Sequence, residues 1–66
     1  GNHDYASVRN DFDTWVPMLR PGGVLLMHDI DAFKDGPGRV FNETDWPKWC
    51  IHNYNGLGVL TKPYAR

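Results

Sequence analysis

The stretch Gly22-Gly23-Val24-Leu25-Leu26-Met27-His28-Asp29 decides the fold. It is a glycine turn, a run of uninterrupted apolar residues, and then two side chains able to bind a metal or move a proton. A short apolar run bounded by turn signals reads as a strand buried on both faces, as in a parallel sheet. In open α/β sheets ligands bind just beyond the carboxyl ends of such strands, which is where His28 and Asp29 fall. The pair reads either as a solvated strand end or as a catalytic edge. A carboxylate in that place suits Mg²⁺, which takes a few carboxylate oxygens together with waters or substrate oxygens.

Upstream, Tyr5, Val8, Phe12, Trp15 and Leu19 recur at spacings of three and four. That is the stripe of an amphipathic helix, with Arg9, Asn10, Asp11 and Asp13 turned to water. Asp4 suits the N-cap, because its carboxylate can accept from the open N–H groups of the first turn. Pro17 lacks an N–H and crowds the preceding turn, so the helix should stop near Trp15. Arg20-Pro21-Gly22-Gly23 has the proline and glycine placement of a type II turn. Helix, turn and buried strand form the second half of a right-handed βαβ crossover. The strand before the helix is expected upstream of Gly1. His3 would then lie at the carboxyl end of that neighbouring strand, beside the end of Val24–His28. Histidine titrates near neutrality and is the usual general base; plain surface exposure is the alternative.

Downstream comes a loop rich in acid and glycine over residues 30–38, then a short helix over 39–44 carrying Val40 and Phe41. Asp45-Trp46-Pro47 interrupts it. Residues 48–54 alternate, with Trp49 and Ile51 on one face and Cys50, His52 and Tyr54 on the other, as in a strand with two unlike faces. Asn55-Gly56 is a two-residue hairpin signal, Leu57–Thr61 the returning strand, and Pro63 its end. Trp15 reads as helix core, while Trp46 and Trp49 flank the loop beside the site. Cys50 reads as a small packed residue with no arrangement for nucleophilic work. A zinc site from His3, His28, Cys50 and His52 would lack any close-spaced ligand pair.

Composition narrows the classes. A chain of 66 residues holds one small domain or a piece of a larger one. Its single cysteine allows no intramolecular disulfide, which fits a reducing compartment. The net charge of -1, with seven scattered basic residues, is unlike the basic footprint of a nucleic-acid binder. No apolar run approaches a membrane span and no signal-peptide pattern is present, so a cytoplasmic protein without a membrane partner is expected. The opening Gly-Asn-His, without methionine, reads as a cut from a longer protein.

Gly1-x-His3-x-Tyr5, the helix end Trp15-Val16-Pro17-Met18-Leu19, and Arg20-Pro21-Gly22-Gly23-Val24-Leu25-Leu26-Met27-His28-Asp29 resemble the C-terminal half of class I S-adenosylmethionine-dependent methyltransferases. The nearest branch is that of the metal-dependent, macrocin-type sugar O-methyltransferases. The resemblance implies an α/β fold: the C-terminal fragment of a Rossmann-like sheet, with a helix, a buried parallel strand, a short helix and a terminal antiparallel hairpin. Residues 1–66 would then be the C-terminal part of one domain whose cofactor-binding N-terminal half is absent. It implies that His3 is the base and Asp29 a ligand of a divalent metal, Mg²⁺ in that branch, with His28 where catechol-type relatives carry a ligating aspartate. It further implies S-adenosylmethionine, bound mainly by the absent half, and a sugar or other small-molecule hydroxyl as acceptor. No cofactor-binding residue is assigned within this chain. Two alternatives stand beside this: an inactive folding or oligomerisation unit that self-associates through an exposed strand edge, and a piece of another Rossmann-like enzyme.

Overall fold

The computed structural model describes residues 3–64. Helix α1 (Tyr5–Trp15) runs into a 3₁₀ turn (Val16–Met18), followed by β1 (Val24–His28), α2 (Pro37–Glu43), β2 (Lys48–Ile51) and β3 (Leu57–Thr61). The boundaries of α1 follow from the sequence. The Asp4 carboxylate accepts from the Ser7 N–H at 3.1 Å, and this bond holds the Asp4 pKa below the ordinary carboxylate range. Pro17 falls in the 3₁₀ turn that closes the other end. The type II turn is also present: Gly22 stands at φ 81° and the Gly23 N–H donates to the Arg20 carbonyl at 2.9 Å.

The three strands form one sheet in the order β1-β3-β2. Both outer strands run antiparallel to β3, with Leu26 and Trp49 each opposite Val59. They are therefore parallel to each other with β3 inserted between. The helices cover one face of this sheet, and there Val40 and Leu60 are fully buried among Phe12, Met27, Ile30 and Phe41. Two lysines close the helix ends. Lys48 donates its ammonium to the Phe41, Asn42 and Thr44 carbonyls at the end of α2, and Lys62 to the Val16 and Leu19 carbonyls after α1. Cations at carboxyl-terminal carbonyls satisfy acceptors that no helical N–H can reach.

Three expectations need correction. The strand Val24–His28 forms, but it is not buried on both faces and has no parallel neighbour among the described residues. Val24 and Leu26 are 56% and 54% exposed, because the helices lie only on the side of Leu25 and Met27. Trp15 is 61% exposed rather than core, since α1 buries Phe12 and turns its last residue outward. The hairpin turn centres on Tyr54-Asn55, with the Gly56 N–H donating to the Asn53 carbonyl, and not on Asn55-Gly56. The reason is tertiary. The Asn55 and Gly56 carbonyls accept from the Asp29, Asp31 and Ala32 N–H groups, so docking of the loop after β1 sets the shape of the tip. No helix among the described residues is long and apolar enough to cross a membrane.

Candidate functional site

The loop leaving β1 positions the site. Asp29 takes a left-handed backbone at φ 64°, which a short polar side chain tolerates better than most. Its N–H donates to the Gly56 carbonyl at 2.9 Å and its carbonyl accepts from the Phe33 N–H at 3.0 Å. The resulting turn carries Phe33 back beneath His3, and the two rings stack with centroids 4.0 Å apart and planes 7° apart. His3 itself directly precedes the Asp4 cap of α1. Its Nε2 lies 3.2 Å from Asp29 Oδ2. Both side chains are partly open to solvent, at 44% and 26% exposure.

Beside this pair is a pocket of about 280 Å³ between α1 and β1, walled by Phe12, Trp15, Leu25 and Leu26 and rimmed by His3 and Asp29. The arrangement can orient an imidazole and accept a proton next to an apolar wall. With Nε2 facing the carboxylate, Nδ1 is the ring nitrogen left to meet an incoming group. Thus the structure brings together His3 and Asp29, the two residues that the sequence places on one rim.

His28 is not drawn into that pair. The strand alternation puts it on the open face with Val24 and Leu26, where its side chain lines the same pocket as His3 and Asp29. Among the described residues no group of three His, Cys, Asp or Glu side chains is placed so that it could hold a metal ion. Of the four residues considered for zinc, His3 pairs with Asp29 while Cys50 and His52 meet each other elsewhere.

The second cluster was missed in the sequence. His52 Nδ1 lies 2.7 Å from Asp31 Oδ2, and His52 Nε2 lies 3.1 Å from Cys50 Sγ. The reading of Cys50 as lacking a partner arrangement is therefore wrong. The available signal was the spacing of Cys50 and His52, two apart on one strand face. Asp31 could not be joined to them from sequence, because the loop docking that brings it there is tertiary.

Residues 1–30 match a family model described as a methyltransferase domain, and this supports a methyltransferase domain here. The matched segment contains both His3 and Asp29. Over 38 residues the chain is 42% identical to the uncharacterized protein y4gI of Sinorhizobium fredii (strain NBRC 101917 / NGR234). That alignment covers 58% of this chain and 4% of the relative, so the chain spans only a small fraction of that protein's length. No solved structure matches the chain.

Proposed function

We propose that this chain is the proton-abstracting, acceptor-side part of an S-adenosylmethionine-dependent O-methyltransferase. The observation that carries the reading is the His3–Asp29 pair, 3.2 Å apart on the rim of an apolar pocket and inside the methyltransferase-matched segment. S-adenosylmethionine, when bound, supplies the activated methyl group. This chain's own residues do the rest. The acceptor ring lies against Trp15 and Leu26 with its hydroxyl toward His3, in a pocket whose walls are apolar with few polar groups at the rim. His3 Nδ1 takes the hydroxyl proton as the oxygen attacks. Asp29, whose carboxylate faces Nε2 at 3.2 Å, stabilises the imidazolium that forms. A sugar or another small ring presenting an apolar face is the acceptor class that fits.

Magnesium at Asp29 and His28 fits less well. Mg²⁺ demands a near-octahedral set of oxygen ligands, whereas His28 offers only ring nitrogens and Asp29 Oδ2 already faces His3.

The test is His3→Gln and Asp29→Asn in the protein that carries this chain, assayed by methyl transfer. General-base removal costs about 10²-fold or more, so kcat should fall by that factor in His3→Gln with KM little changed. Asp29→Asn should lose less, and its loss should shrink with more acidic hydroxyl acceptors. A His3→Gln enzyme within twofold of wild type would sink the assignment.

A second reading, self-association, is favoured by the open sheet face. Val24, Leu26 and Trp49 are each more than half exposed on one side of the sheet, and the β1 edge away from β3 is unpaired among the described residues. Such edges template pairing with another chain. We expect concentration-dependent dimers in sedimentation, abolished by Leu26→Lys. A monomer at every concentration removes this reading.

A further inference from the structure

The geometry points to a second reactive centre, in residues 31–52 and outside the methyltransferase-matched segment. We propose that Cys50 is a nucleophilic thiol, served by His52 as base and Asp31 as the group that positions it, which exchanges with small disulfides bearing carboxylates.

Three elements build the centre. Cys50 lies on β2 on the helix-covered side of the sheet, opposite Gly58, and is partly accessible. His52 follows two residues later, just past the strand end, so it shares the side of Cys50. Asp31 arrives from the loop after β1. The Asp31 and Ala32 N–H groups donate to the Asn55 carbonyl at 2.9 and 3.1 Å, which fixes that loop on the hairpin tip.

The order of the hydrogen bonds sets the chemistry. An ionised carboxylate only accepts, so in the 2.7 Å contact the proton sits on His52 Nδ1, which donates to Asp31 Oδ2. The neutral imidazole then has its lone pair on Nε2, and the Cys50 thiol, 3.1 Å away, donates to it. A nucleophile within reach of a base that a third group orients is the arrangement that activates thiols. Lys48, two residues before Cys50 on the same face, keeps its ammonium on the α2 carbonyls and does not enter the relay.

The substrate class follows from the space beside the sulfur. A pocket of about 260 Å³ opens there, lined by Cys50, His52, Asp31, Lys34 and Asn42. The Asp31 carboxylate is engaged by His52, which leaves the Lys34 ammonium and the Asn42 amide to meet carboxylates on the incoming molecule. The exchange balances without any further reagent. The Cys50 S–H proton passes to His52 Nε2 as Cys50 Sγ bonds to the nearer sulfur of the disulfide. The old S–S bond breaks, the farther sulfur leaves with its electron pair, and the imidazolium returns the proton to it. Cys50 is oxidised to a mixed disulfide, and half of the small disulfide is reduced to a thiol.

The experiment exposes the purified protein at pH 7.4 to oxidised glutathione, and separately to the uncharged bis(2-hydroxyethyl) disulfide. The mass of the peptide bearing Cys50 is followed over time. A free thiol is only a few per cent ionised near pH 7, so loss of the base in His52→Ala should slow both reactions about tenfold. Lys34→Ala should slow oxidised glutathione alone. Asp31→Asn should lose a few-fold and Asp31→Glu should restore most of it, which a merely structural aspartate would not do. His52 is largely exposed, so its replacement leaves the melting temperature unchanged and the rate comparison clean. Equal rates in wild type and His52→Ala overturn the proposal, as does a Cys50 peptide that carries no adduct. Equal slowing of both disulfides by Lys34→Ala overturns the preference for carboxylates.

Discussion

Two histidine–carboxylate pairs leave the same short loop in opposite directions. Asp29 reaches His3, which stacks on Phe33 and keeps one ring nitrogen for whatever enters the pocket. Asp31 reaches His52, whose other nitrogen is already committed to a thiol. The first pair opens on a pocket, and the second is a hydrogen-bonded chain complete within the protein. Both pairs are partly solvated, so neither is held by its own electrostatics; exposed ion pairs are worth at most about 1 kcal/mol. What holds them is backbone. Three N–H groups of the loop donate to the hairpin tip, and the Phe33 N–H closes the turn behind Asp29.

Each pair has a glycine whose substitution should disturb it more than the other. At Gly36 an added Cβ would overlap the His3 carbonyl, a backbone atom that cannot rotate away. Gly36→Ala should therefore displace the start of α1 and cost about 3 kcal/mol, the upper end for overpacking. Chemical denaturation measures the loss. In the same variant Cys50 should exchange as in wild type. At Gly56, φ is 86° and a Cβ would lie 2.6 Å from Asp31 Oδ2. Rotation can move the Asp31 carboxylate but not its Cβ, which would lie 2.9 Å away, so Gly56→Ala should cost about 2 kcal/mol or more, from a left-handed alanine and a shift of the loop. This variant should slow thiol exchange strongly while His3 shows only a small NMR shift, passed on through the Asp29 N–H that rests on the Gly56 carbonyl. If either substitution disturbed both pairs equally, the loop would be one cooperative unit and the comparison would fail. Phe33→Ala is milder. It removes the stack under His3, worth about 1 kcal/mol, and should broaden the His3 ring resonances without touching those of His52.

The two pairs also differ in how legible they were. The rim bearing His3 and Asp29 could be read because local rules placed each residue. An aspartate cap and a three-four stripe start the helix after His3, and a Pro-Gly-Gly turn feeds an apolar strand that ends before Asp29. Placing them on one rim needed only the crossover rule. The Asp31–His52–Cys50 relay depends on which carbonyls of the hairpin tip the loop N–H groups find, and no periodicity encodes that. The same docking moved the hairpin turn from Asn55-Gly56 to Tyr54-Asn55. The open face of β1 was misread for a related reason. An uninterrupted apolar run specifies that a strand can be covered on both sides, and says nothing about which covering elements belong to the same chain.

The smallest expected effect tests how far His3 depends on the docking of its helix. α1 is clamped to α2 where the Tyr5 hydroxyl donates to Glu43 Oε1 at 2.6 Å, with Arg39 over the Tyr5 ring at 3.9 Å. His52 sits in the hairpin and has no part in this clamp. The hydrogen bond lowers the Glu43 pKa from its ordinary 4.5 and raises that of Tyr5 from 10.0. The signs follow from linkage. The Glu43 contribution is present above 4.5 and is lost as pH falls through the lowered folded value. The Tyr5 contribution is present below 10.0 and is lost as pH rises through the raised one. Tyr5→Phe should therefore lower the melting temperature slightly at neutral pH, with the difference from wild type narrowing in both acid and alkali. Its imprint on the pairs should be one-sided: a small shift of the His3 ring signals and none at His52. A difference in melting temperature that stays constant across the pH range would mean that the phenol contributes only through packing, and α1 would then hold His3 in place through its buried Phe12 face alone.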